Sequence, residues 1–110
     1  MPTKETLVEN EIFDWLWTIE GLKCFKVYNG ATKGTKKRGG YRKKPNGIPD
    51  IIGCFRGRFF CIEVQAEKNK PSEDQEILIS EILDCGGVAF WANSLENCIN
   101  AFNFHFSIMD

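Results

Sequence analysis

The chain has 110 residues, 14 basic and 15 acidic side chains and a net charge of −1, and its 14 aromatics are many for that length. This suits one small domain over residues 1–110, able to bury a single core. No run of eighteen apolar residues is present, and the polar start MPTKETLVEN does not read as a signal peptide, so a membrane span is excluded and a cytoplasmic location is expected.

The first element is an amphipathic helix over Lys4–Glu20, with Val8, Ile12, Trp15, Leu16 and Ile19 at helical spacing and Gly21 as its stop. Lys23–Tyr28 alternates as a strand does, and Asn29-Gly30 is a turn signal. A basic, glycine-containing loop follows, over about 29–46. Two β-branched and aromatic runs, Ile48–Phe55 and Phe59–Val64, then flank a turn at Arg56-Gly57 and read as a hairpin. Pro71-Ser72 opens a second helix reaching about Asp84, and Gly86-Gly87 stops it. Val88–Ala92 is a short buried-type strand, and Ser94 starts a last helix through about Phe104. The order α-β-β-β-α-β-α implies an α/β fold, a mixed sheet flanked by helices.

The near-zero net charge hides an asymmetry. From Gly21 to Pro49 there are nine bases and no acid, and the densest part is KGTKKRGGYRKK, Lys33–Lys44. Such runs often form solvated loops. A basic arm with glycines also suits a phosphate backbone, through Lys33, Lys36, Lys37, Arg38, Arg42, Lys43 and Lys44, with Tyr41 able to stack on an unpaired base. Lys68 and Lys70, in the loop before the second helix, can approach a phosphate too. The five cysteines are scattered without a CxxC pair, so three or more read as small apolar residues in a reducing cytosol rather than as a zinc site. His105, the only histidine, reads as a surface residue, so a Ser-His-Asp mechanism has little to work with.

The hairpin carries the strongest chemical signal. A two-residue turn pairs Phe55 with Arg58 and sets Asp50 directly opposite Glu63, with Gln65 on the same face. A four-residue loop keeps that register and a three-residue loop shifts it by one. Like charges directly opposite destabilise a sheet, and a half-buried carboxylate needs a partner. A hard divalent cation with oxygen ligands is the simplest one. Two helical acids, Glu5 and Glu9, lie beside the apolar stripe of the first helix, Glu5 in better phase with Val8 and Ile12. Ser72 and Gln75 form an S-x-x-Q capping box. Gln75 also heads the stripe Leu78, Ile79, Ile82, so its amide either caps the helix or points inward.

Taken together, Glu5, Gly47-Ile48-Pro49-Asp50-Ile51-Ile52-Gly53, Ile62-Glu63-Val64-Gln65, Ser72-x-x-Gln75 and Gly86-Gly87 resemble the VRR-NUC domain (virus-type replication-repair nuclease), a branch of the PD-(D/E)XK nuclease superfamily. The resemblance covers roughly Lys4 to Ala101. It implies the restriction-endonuclease-like fold and a structure-selective endonuclease that cuts branched DNA such as Holliday junctions. Stand-alone members of this size resemble phage-encoded homodimers, which would act in the cytoplasm of a bacterial host. The family's metal ligands fall on Asp50, Glu63 and the backbone carbonyl of Val64, with Glu5 completing a site for Mg²⁺ or Mn²⁺. Its helical glutamine falls on Gln75.

One position departs from the pattern. The lysine of the E-x-K motif is replaced by Gln65, which keeps hydrogen-bonding capacity but supplies no positive charge. Two functions therefore stay open: an active metal-dependent nuclease, with Gln65 and Lys68 or Lys70 positioning water and phosphate, and a DNA-binding module of the same fold without useful turnover. A scaffold that dimerises through its aromatics is a third, without a nucleic-acid role.

Overall fold

The computed structural model describes residues 3–28, 36–37, 40–41, 48–66 and 69–108, of which 36–37 and 40–41 by backbone alone. Helix α1, Lys4–Leu16, starts where the Thr3 hydroxyl accepts the Thr6 N–H. It stops four residues short of the expected Glu20. The Thr18 hydroxyl donates to the Trp15 carbonyl at 2.6 Å, and three-residue turns carry the chain down to the first strand. Strand β1 spans Leu22–Lys26, and β2 (Lys36–Lys37) and β3 (Gly40–Tyr41) follow. These two pair antiparallel, so the stretch expected to be a plain loop contains a short ribbon. Then come β4 (Ile51–Phe55), β5 (Arg58–Val64), α2 (Glu73–Asp84), β6 (Val88–Ala92) and α3 (Leu95–His105).

The main sheet is mixed, in the order β1-β4-β5-β6. Strand β4 pairs antiparallel with β1 and β5, and β5 pairs parallel with β6 through the α2 crossover. Phe55 faces Arg58 and Ile51 faces Ile62, the register the two-residue turn demands. Arg56 and Gly57 both take positive φ, 55° and 76°, as a type I′ turn requires. Gly53 has a different reason to be glycine. A Cβ there would run into the Lys23 carbonyl and the Phe60 ring, which lies across it from β5.

Helices α1 and α3 cover one face of the sheet. Ile12 and Leu16 from α1, and Cys98, Phe102 and Phe106 near α3, pack on Ile51, Phe55, Phe60, Ile62, Val64, Val88 and Phe90. Phe102 meets Trp15 and Phe60 edge-on, with centroids 5.3 and 5.9 Å apart, the geometry that ring quadrupoles favour. His105 is no free surface residue. Its ring stacks on Phe90 at 5.5 Å, and burial and nearby Arg58 lower its pKa. Cys24, Cys61 and Cys98 are buried as small apolar residues, while Cys54 and Cys85 are exposed. Helix α2 lies over the opposite face and buries none of its residues fully. Among the described residues no helix is long and apolar enough to cross a membrane.

Candidate active site

The open end of the β4–β5 hairpin gathers the polar residues. Pro49 is buried and outside the ladder, where its missing N–H costs nothing, and the chain bends at Asp50 just before β4 begins. The backbone of Asp50 is held from one side, its carbonyl accepting the Val27 N–H at 2.7 Å. Its side chain is held from the other, Oδ2 accepting the Val64 N–H at 2.8 Å. Charge-assisted bonds of this kind fix a carboxylate well.

Glu63 alternates with the core residues Ile62 and Val64 and so points to the α2 face, yet it is only 4% exposed. Two amides converge on one of its oxygens. Gln75 Nε2 donates to Oε2 at 2.6 Å, and Gln65 Nε2 donates to the same atom at 2.7 Å. The other oxygen, Oε1, is buried without a hydrogen-bond partner, and no other described side chain has such an atom. Burial pushes the Glu63 pKa up to about 8, with the charges of Asp50 and then Glu5 adding to it. A carboxyl-to-carboxyl contact with Asp50 raises it further, since that contact binds only when a proton is shared, while the Gln75 bond opposes the shift.

The capping and inward roles of Gln75 turn out to be one role. Its Oε1 accepts the Ser72 N–H at 2.7 Å while the Ser72 hydroxyl accepts the Gln75 N–H, closing the capping box at the start of α2. That fixes which end of the amide is oxygen, so Nε2 faces Glu63. Gln65 completes the cluster with a longer bond, 3.4 Å, from Nε2 to Gln75 Oε1. Both protons of the Gln65 amide nitrogen are thereby engaged, and it has no donor left to orient a water.

The two helical acids differ in their surroundings. Burial raises the Glu5 pKa, with Asp50 adding to it, and Glu5 acts on Glu63 as well. Burial and Asp50 raise Glu9 too, but Lys26 opposes this through an ion pair at 3.6 Å. Lys26 is held in turn by Asn10 and lies over the Phe13 ring. Sequence reasoning missed Lys26, the cation that ends β1 just before Val27, whose N–H holds Asp50. Its place on an alternating strand carried no signal of that.

Among the described residues no three histidine, cysteine or acidic side chains come close enough to cage a metal by themselves. The two hairpin carboxylates still suit a hard cation, because Glu63 Oε1 is buried, unpartnered and set among like charges. Of the expected phosphate contacts, Lys36, Lys37 and Tyr41 lie in the β2–β3 ribbon, and Lys70 is exposed before α2. Lys33, Arg38, Arg42, Lys43, Lys44 and Lys68 lie outside the described residues.

Solved structures share this fold over most of the chain. A VRR_NUC domain superposes with a TM-score of 0.67 at 21% identity, over 93% of this chain and 97% of the other. The chain has the VRR_NUC fold. A second VRR_NUC domain protein gives 0.65 at 17% identity, over 100% of this chain and 93% of that one. Hjc of Archaeoglobus fulgidus, a Holliday junction resolvase from an archaeal hyperthermophile, gives 0.53 at 22% identity, over 81% of this chain and 67% of Hjc. No family model and no curated protein matches the chain.

Proposed function

We propose that this chain is a divalent-metal-dependent endonuclease that hydrolyses phosphodiesters in branched DNA such as Holliday junctions. The observation that carries this reading is the unpartnered, buried Oε1 of Glu63 beside Asp50, at the open end of a hairpin in the VRR_NUC fold. Asp50, Glu63 and the Val64 carbonyl would hold Mg²⁺ or Mn²⁺, with Glu5 near enough to add negative charge. Bound there, the ion would lower the pKa of a water and offset charge on the phosphate. The chain's own residues aim the ligands: Gln65 and Gln75 set the plane of Glu63, and the Val64 N–H sets Asp50. The basic residues from Lys33 to Lys44, with Lys70, would grip the DNA backbone and make affinity fall steeply with salt.

One observation favours a second reading, a DNA-binding module without useful turnover. Gln65 brings no ammonium group, and its amide nitrogen is committed to Glu63 and Gln75. Incubating the protein with a labelled four-way junction, a flap and a linear duplex, with Mg²⁺ or Mn²⁺, separates the two. The nuclease reading expects cuts in the branched DNA. Binding without cutting at any metal concentration sinks it and leaves the binding module, whereas failure to bind any DNA at any salt favours a scaffold. In Gln65→Lys, a gain of cutting from an inert parent would mark the natural glutamine as a disabling change.

We also infer a homodimer, which would present two such sites to a four-way junction. Ile77 and Leu83 on α2 and neighbouring Phe59 are exposed apolar residues, which supports an interface on that side. A mass of one chain by light scattering at micromolar concentration counts against it.

A further inference from the structure

The molecule's other concentration of unusual chemistry lies on the far side of the site from α2. There α1 and the sheet-edge strand β1 leave a groove of about 420 Å³, with Phe13, Trp17, Phe25, Tyr28 and Lys26 among its lining residues. Three of these rings are open to solvent: Trp17 is 50% exposed, Phe25 63% and Tyr28 82%. Large aromatics left this bare in so small a chain need a partner. The rings are also dressed with cations, Lys23 Nζ lying 5.4 Å from the Trp17 centroid and Lys26 Nζ 5.3 Å from that of Phe13.

We propose that this groove takes unpaired nucleobases from the branch of the DNA substrate, which stack on Phe25 and Tyr28 while Lys23 meets the flanking phosphate. This rests on the nucleic-acid reading above and adds to it the element that recognises the branch. Two observations choose a nucleobase over a second copy of the chain. The first is charge. Lys26 lines the groove paired with Glu9, Asp14 is a lining acid, and Lys23 lies over the Trp17 ring at the start of a segment with nine bases and no acid between Gly21 and Pro49. The centre of a protein interface is depleted in charge, and Lys23 brought against its own copy across a twofold axis repels, whereas a polyanion gains from Lys23 and the basic segment that follows it. The second is continuity. Tyr28 directly follows Val27, whose N–H holds Asp50, so a strand passing over the carboxylates meets the aromatic rings next. Flat, exposed rings beside ammonium groups are what sequence-tolerant binding of single strands uses.

The test uses the full chain, without divalent metal so that no DNA is cut. The probes are a duplex carrying a three-nucleotide gap with 2-aminopurine in the unpaired stretch, and a linear duplex of the same length. Phe25 and Tyr28 are exposed, so Phe25→Ala/Tyr28→Ala should fold, as circular dichroism will show. The double variant is expected to lose about tenfold or more in affinity for the gapped DNA, the scale of losing one or two base stacks. Its affinity for the linear duplex should stay unchanged. Wild type should quench the 2-aminopurine emission on binding and the double variant should not, while Phe25→Tyr/Tyr28→Phe restores both signals. Equal weakening on both DNAs, or no change on either, overturns the groove's role and leaves the nuclease reading standing. A wild-type protein that binds neither DNA overturns both. A double variant that turns from dimer to monomer overturns the groove's role in favour of self-association.

Discussion

From Phe60 to Gln65, β5 and the residue that follows it bury both faces and hold them by different physics. Phe60, Ile62 and Val64 on one face are 0% exposed and gain from leaving water. Cys61, Glu63 and Gln65 on the other are 1%, 4% and 9% exposed. There, burial disfavours the charged forms, pushing Cys61 up to about 12 and Glu63 to about 8. Burial alone therefore does not separate core from site. The separation lies in whether a buried atom has what it needs. The core side chains are apolar and need no partner, whereas Glu63 Oε1 is buried without a hydrogen bond to stabilise its charge.

The largest effect should come from emptying the polar side. Asp50→Ala is expected to remove cleavage of a four-way junction, by at least about a hundredfold, while binding in a gel-shift assay stays close to wild type. Unchanged cutting would take Asp50 out of the site. On the apolar side, Phe60→Ala should cost about 3–5 kcal/mol in urea unfolding, because it opens a cavity beneath Phe102 and uncovers Gly53.

The contrast sharpens with pH. The folded-state pKa of Glu63, about 8, lies above its ordinary value of 4.5. The folded protein then holds a proton that the unfolded chain releases, so this group's contribution to stability is full below about pH 4.5 and is lost as pH rises through about 8. Thermal melts in EDTA should show wild type losing more stability between pH 5 and pH 8 than Glu63→Gln does. Added Mn²⁺ should stabilise wild type more at pH 8 than at pH 5 and leave Glu63→Gln unmoved. A smaller change divides the double role of Gln75. Ser72→Ala removes a cap worth about 1 kcal/mol and should lower the unfolding midpoint with cutting largely preserved. Gln75→Ala should lower both.

Much of this was legible from residue order, because a strand's period of two and a two-residue turn leave one register. That register sets Asp50 opposite Glu63 with Gln65 on their face, and the ladder adopts it from Ile51–Ile62 to Phe55–Arg58. Helical phase favours Glu5 over Glu9; Asp50 raises the pKa of both, Glu5 also acts on Glu63, and Glu9 is drawn to Lys26. What escaped depends on three-dimensional neighbours. Gln75 seemed to face a choice between cap and site, since spacing cannot show that an amide has two ends. The early stop of α1 lies where backbone bonds switch to three-residue turns and the Thr18 hydroxyl bonds the Trp15 carbonyl, which spacing alone does not show. The aromatic surplus of the sequence splits between an interlocked core and the exposed rings along β1, and composition could not apportion it.

The capping box at Ser72 and Gln75 has one more consequence. The amide that starts α2 also steers Glu63, so the helix's first turn and the aimed carboxylate assemble or come apart together. Helix ends open at lower temperatures than sheets do. On the nuclease reading, warming should end DNA cleavage several degrees before the near-ultraviolet signal of Trp15 and the core phenylalanines is lost. On that reading, a fraying first turn of α2 sets the thermal limit of cutting.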